Sequence, residues 1–185
     1  MSEEDEERNL YQYLVEPRYE RIGGILYAMS SPKYWHQEII GGMYFQLRSQ
    51  LDKYGCHVFM SPFDVYVLAD LGDDKTFVEP DLFISCDQNK LEQLVKREQT
   101  HYHGAPSIII EVLSAANRTY DLVTKRDLYE RSGVKEYWAV DPDEKLLYIF
   151  IFNEGSPYKI IDLAKEPSVS YTEIPGCMVD FRQIF

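Results

Sequence analysis

Ile108-Ile109-Ile110-Glu111-Val112-Leu113 is an apolar run around a single carboxylate. Residues that are apolar at both parities of a strand must be covered on both faces, as in the interior strand of a layered α/β sheet. Glu111 is the anomaly. A buried carboxylate with no partner costs several kcal/mol, so it needs a proton, a metal or a cationic neighbour. A buried ion pair with an Arg or Lys is the plain alternative to a metal.

Working outward, the strand before it is expected at 82–85, and Pro80-Asp81 stands at its start. An Asp after Pro is commonly a turn residue. Two acids on consecutive core strands can also converge at one sheet edge, and oxygen ligands of that kind suit Mg²⁺ or Mn²⁺, which need only one or two protein carboxylates. Downstream, Thr119 can cap a helix running to Arg131, with Gly133 as its stop. Asp121 and Lys125 lie four apart on it. As a surface pair they would contribute about 0.3–0.5 kcal/mol; as site residues, Lys125 would point over the sheet edge and Asp121 would orient it.

Further strands are expected at 56–60, 65–69, 136–140, 146–152 and 158–161, the last three as a meander turning first at Asp141-Pro142-Asp143. Two short strands flank Gly23-Gly24. A long helix is expected from Tyr34 to Lys53, with Gly41-Gly42 costing it roughly 1 kcal/mol each unless they pack closely against the sheet. The stretch from Gln88 to Gly104 reads as a short helix plus a loop carrying His101 and His103, too few ligands for zinc. Glu136 reads as a brace for the Lys125 helix or for a subunit contact.

The bulk numbers set limits. With 185 residues, 45% of them hydrophobic, the chain can fill one core, so the expectation is an acidic disordered head at 1–10 and a single domain over 11–185. Net charge is -12, and setting aside the five acids at positions 3–7 leaves -7. That excludes an avid non-specific nucleic-acid binder, whose affinity would come from lysines and arginines on phosphates; it leaves room for a locally basic groove or a homodimer. Cys56, Cys86 and Cys177 are odd in number and form no CxxC pair, so no disulfide framework is expected and a reducing cytoplasm is the natural setting. No apolar run approaches a membrane span.

In order and spacing, these pieces resemble a family. Pro80-Asp81, Glu111-Val112-Leu113-Ser114, Asp121-x-x-x-Lys125-x-x-x-Tyr129 and Gly133-Val134-x-Glu136-Tyr137-Trp138-x-Val140-Asp141-Pro142 look like the Uma-type restriction endonuclease family, of the PD-(D/E)XK nuclease superfamily. Gly24-x-x-Tyr27-x-Met29-Ser30-x-Pro32, followed by His36, fits the same likeness, which spans about residues 19–161. The resemblance implies a restriction-endonuclease-like α/β (α+β) core, a central mixed β-sheet flanked by helices. It implies Mg²⁺- or Mn²⁺-dependent hydrolysis of DNA, with Asp81, Glu111 and the Val112 carbonyl as metal ligands. The superfamily's usual lysine position, two after the acid, holds Leu113, and Ala115 stands where relatives commonly carry Pro. Lys125, on the next helix, is the implied replacement. Glu38 and His36 are accessory candidates, Glu38 as an extra metal ligand. A catalytically silent module of the same fold, binding nucleic acid or protein, is the alternative, and a metal-assisted hydrolase of a small phosphorylated substrate is a third reading.

Overall fold

The computed structural model describes residues 18–152 and 158–185. The head expected at 1–10 lies outside the described residues. The chain opens on a hairpin, β1 (Tyr19–Ile22) and β2 (Ile25–Ala28). Gly23 and Gly24 between them sit at φ 57° and 83°, a region that favours glycine.

The central sheet contains β3 (His57–Met60), β5 (Leu82–Ser85), β7 (Ile108–Val112), β8 (Glu136–Asp141), β9 (Leu146–Ile151) and β10 (Tyr158–Asp162). Its order is β10-β9-β8-β7-β5-β3, and only the β7–β8 pair is parallel. A mixed sheet flanked by helices is what the resemblance implied. Every residue of β7 is buried, including Glu111. Among the described residues, three small two-stranded units complete the strands: the β1–β2 hairpin, β4 (Asp64–Tyr66) with β6 (His101–His103), and β11 (Ser168–Ser170) with β12 (Met178–Asp180).

Strand parity divides the core. Ile108, Ile110 and Val112 pack with Leu82, Ile84 and Trp138 against α1 (Tyr34–Leu51), which contributes Ile39, Ile40, Met43, Leu47 and Leu51. Those five fall at helical spacing on one face, so a Leu47→Ala cavity there should cost about 2–5 kcal/mol. On the other face, Ile109 and Leu113 join Phe83, Tyr137 and Ala139 beneath Leu128 and Tyr129 of α3 (Arg126–Ser132). Glu111 shares the parity of Ile109 and Leu113, so its side chain is directed toward α3.

Several local expectations are corrected. Gln88–Arg97 is a helix, α2, capped by the Asp87 carboxylate on the Asn89 and Lys90 N–H groups, but His101 and His103 lie on β6 rather than in a loop. The strand expected at 65–69 is Asp64–Tyr66, with a 3₁₀ turn at Ala69–Leu71. Thr119 does not cap: it is already helical and its side chain makes no cap bond. From Arg118 and Thr119 the helix passes into a π-helical segment, Tyr120–Lys125, before α3 continues it, and Gly133 ends it at φ 91°. Gly42 packs against Ile184, where a Cβ would come within 3.0 Å, and not against the sheet; Gly41 has open space.

The cysteine reading is also overturned, since Cys56 and Cys86 form a disulfide. Antiparallel pairing of His57 with Ser85 brings the residue before one strand beside the residue after the other. A 30-residue separation in sequence conceals that register. The disulfide removes the cysteine argument for a reducing compartment. No helix among the described residues is long and apolar enough to cross a membrane.

Candidate active site

Register brings the two expected acids together. Leu82 pairs with Ile110 across β5 and β7, so one step further places Asp81 opposite Glu111, where the ladder opens. The Asp81 carboxylate accepts the Val112 N–H at 2.7 Å, and the Asp81 N–H reaches Glu111 Oε2 at 3.4 Å. Pro80 and Asp81 therefore do more than turn the chain: they bring one carboxylate beside another at the end of that ladder.

Lys125 completes the group from the helix. Its Nζ lies 2.8 Å from Glu111 Oε1, 2.8 Å from Glu20 and 3.8 Å from Asp121. Both Asp121 and Lys125 are buried in the π-helical segment. The buried ion pair considered as the plain reading of Glu111 is thus present. Leu113 is buried on Glu111's side of the sheet and Lys125 reaches the same carboxylate from the helix. Lys125 makes no ion pair with Asp81; Glu20 and Asp121 share it instead.

Glu20 was not singled out from the sequence. It is buried on β1, accepts the Glu79 N–H at 3.0 Å and the Tyr120 hydroxyl at 2.9 Å, and pairs with Lys125. Alternation along Tyr19-Glu20-Arg21-Ile22, which puts Glu20 on the face of buried Ile22, was the available signal. Tyr129, which the sequence marks only by its spacing from Lys125, donates its hydroxyl to Glu111 at 2.7 Å.

Of the accessory candidates, His36 is in the site and Glu38 is not. His36 Nε2 lies 3.1 Å from Asp81 Oδ2, whereas Glu38 is exposed on α1 and outside the cavity wall. Glu136 braces neither the Lys125 helix nor an outer surface. It is fully buried and accepts Trp138 Nε1–H at 2.7 Å and the Thr172 and Glu173 N–H groups at 2.9 Å, which anchors the segment before β12. His101 and His103 face each other through Nε2 atoms 2.9 Å apart and do not line the cavity that holds this group.

The electrostatics follow from charge count. Glu20, Asp81, Glu111 and Asp121 share one lysine and one histidine. Burial pushes the Glu111 carboxyl up to about 8; Lys125 opposes this, while Asp81, Asp121 and Glu20 add to it. Burial likewise pushes Asp121 up to about 6 against the pull of Lys125. For Lys125, burial opposes the charge, but Glu111 and Glu20 hold its pKa well above the ordinary lysine value. A cation more strongly held and a carboxyl more readily protonated are consistent: one ammonium cannot neutralise three acids, and the remainder favours a proton. Burial also opposes charge on His36, yet its bond to Asp81 and the Asp81 charge raise its pKa, with the nearby Val112 carbonyl adding to the effect.

Among the described residues no three His, Cys, Asp or Glu side chains are arranged as a ready metal site. The donor chemistry nevertheless fits a hard divalent ion. Two adjacent carboxylates and a backbone carbonyl are oxygen donors, Mg²⁺ keeps several of its waters, and the local charge is short of cations. His36 Nδ1 adds a second sign of an incomplete site, because it is buried without a hydrogen-bond partner. Asp81, Glu111 and Val112 open on a cavity of about 1170 Å³ that also reaches His36, Asp121 and Lys125.

The fold has solved relatives. A crystal structure described as that of a "putative nuclease belonging to DUF820" from Anabaena variabilis ATCC 29413 superposes with a TM-score of 0.71 at 16% identity, covering 96% of each chain. That likeness shows the restriction-endonuclease-like fold. No curated protein matches the chain. The model of the Uma2 family, described as "Putative restriction endonuclease", matches residues 9–176, and the chain belongs to that family.

Proposed function

We propose that the protein is a metal-dependent endonuclease that hydrolyses DNA phosphodiester bonds, with Mg²⁺ or Mn²⁺ held by Asp81, Glu111 and the Val112 carbonyl. The observation that carries this reading is the meeting of Asp81 and Glu111 at the end of the β5–β7 ladder, in a cluster of four carboxylates with a single lysine. The family's name and the nuclease likeness point to the same substrate class. Held there by Asp81, Glu111 and the Val112 carbonyl, the ion would supply Lewis-acid polarisation of the phosphate and a lowered pKa of bound water.

The chain's own groups do the rest. Lys125 supplies a fixed positive charge beside Glu111, where negative charge grows on the phosphate; a preorganised donor of this kind is commonly worth about a hundredfold or more in rate. Glu20 and Asp121 hold its ammonium in place, and Tyr120 in turn donates to Glu20. Tyr129 fixes the Glu111 carboxylate. His36 steadies Asp81 and, when protonated, adds positive charge toward the cavity. All of these groups come from one chain, so the reading does not lean on a homodimer. We place the activity in the cytoplasm, where DNA is met, without help from the cysteines.

The test is cleavage of supercoiled plasmid and of single-stranded DNA in Mg²⁺ and in EDTA, by wild type and by Asp81→Asn. Cleavage by the wild type in Mg²⁺ alone is expected. DNA binding without cleavage under any divalent metal would transfer the assignment to the silent module, a reading that Leu113 at the usual lysine position favours.

A further inference from the structure

Two large aromatic side chains stand in water at the mouth of the site. Tyr34 and Trp35 open α1 with exposures of 67% and 62%, and their rings meet edge to face with centroids 5.2 Å apart. Rings of this size normally bury 150–250 Å² each, so a neighbouring exposed pair is a surface waiting for a flat apolar partner. Its position identifies the partner. Trp35 lines the cavity that holds Asp81 and Glu111, and the next residue, His36, touches Asp81.

Resting on the nuclease reading, we propose that Trp35, flanked by Tyr34, is a stacking platform for an unpaired base of the substrate strand, so that the enzyme acts on single-stranded DNA. Every base offers a π-face, and stacking on a protein ring requires that the base be free of its duplex neighbours. The charge balance favours the same substrate. A net charge of -12 leaves little general attraction for the phosphates of a duplex, so stacking supplies a larger share of the affinity. Of the cations that line the same cavity, Arg18 is paired with Glu79 and Lys125 with Glu20, Glu111 and Asp121, which leaves Lys33 and Lys145, the latter over the Phe185 ring at 5.7 Å. They suit one passing backbone.

The protein carries its own reporter. It has two tryptophans; Trp138 is fully buried and stacked on Tyr171 at 4.0 Å, so a ligand-dependent change in emission reports Trp35. The experiment titrates the full chain, in Ca²⁺, with an eight-nucleotide oligothymidylate and with a blunt duplex. Tryptophan emission and the anisotropy of fluorescein-labelled DNA are both followed. The single strand should quench Trp35. Trp35→Ala should weaken its binding roughly 5- to 150-fold, the range for one base–ring stack, and Trp35→Phe should restore most of it. Duplex binding should be weaker and indifferent to either change. Single-strand binding without quenching, or equal affinity in Trp35→Ala, would overturn the platform. So would a protein-concentration-dependent emission shift accompanied by a dimer's sedimentation, which would assign the pair to a subunit contact. Quenching without cleavage under Mg²⁺ or Mn²⁺ would end the nuclease reading and leave the platform standing; cleavage without quenching would do the reverse.

Discussion

Replacing Lys125 by Met removes the ammonium that Glu20, Glu111 and Asp121 share. Breaking a buried ion pair by deleting one partner usually costs about 3–5 kcal/mol. The structure allows a closer estimate, because a stranded carboxylate can always take up a proton. The cost of doing so bounds the penalty at about 1.4 kcal/mol per pH unit above the ordinary value of 4.5. For one additional stranded acid that is about 5 kcal/mol at pH 8 and about 2 kcal/mol at pH 6. The sign is clear: carboxyls whose folded pKa is raised destabilise nothing below the unfolded value, and they destabilise increasingly as pH rises toward the folded one. In a domain of this size about 2–4 °C of melting temperature accompanies each kcal/mol. The Lys125→Met melt should therefore fall by roughly 10–20 °C at pH 8 and by about half as much or less at pH 6. Circular dichroism melts of metal-free protein at the two pH values measure this. A shift under about 2 °C at pH 8, or a loss independent of pH, would refute the shared-ammonium account.

Glu111→Gln should behave differently, since Lys125 keeps Glu20 and Asp121. Because burial raises the Glu111 carboxyl toward about 8 from an ordinary 4.5, its contribution in metal-free protein is full below the lower value and is lost as pH climbs through the higher. The variant should thus gain on wild type by at least about 1 kcal/mol between pH 5 and pH 8 in urea titrations. Tyr129→Phe keeps the ring and removes the 2.7 Å bond to Glu111, and should cost about 1–3 kcal/mol in the same titrations. Metal binding must displace protons from Glu111, so Mn²⁺ affinity should rise between pH 6 and pH 8 by up to about tenfold per unit; a flat profile would mean that Glu111 is no ligand.

The six strands of the central sheet, the long helix and the two acids were legible because their signals are local, whereas the short strands β6, β11 and β12 were not. An apolar run around Glu111 and the Pro80-Asp81 pair carry their meaning in a few residues. What escaped depends on contacts between distant segments. Glu20 becomes a site residue only when β1 folds over Tyr120 and Lys125, and Cys56 meets Cys86 only through the β3–β5 register. The π-helical turn at Tyr120–Lys125 has no residue signature comparable to a cap or a glycine stop, and it buries Asp121 with Lys125 where the sequence allowed equally a surface pair. Glu38 misled for the opposite reason: an acid near the start of the right helix sits on its exposed face, while His36, two residues earlier, faces Asp81.

The most direct measurement is calorimetric titration of metal-free protein with Mn²⁺ at pH 8, comparing wild type with Asp81→Asn and Glu111→Gln, each first shown to be folded. One principal site in the wild type, lost or weakened at least about tenfold in both variants, is the predicted result. Unchanged affinity in the two variants would contradict it, and would leave Asp81 and Glu111 as partners of His36 and Lys125 alone.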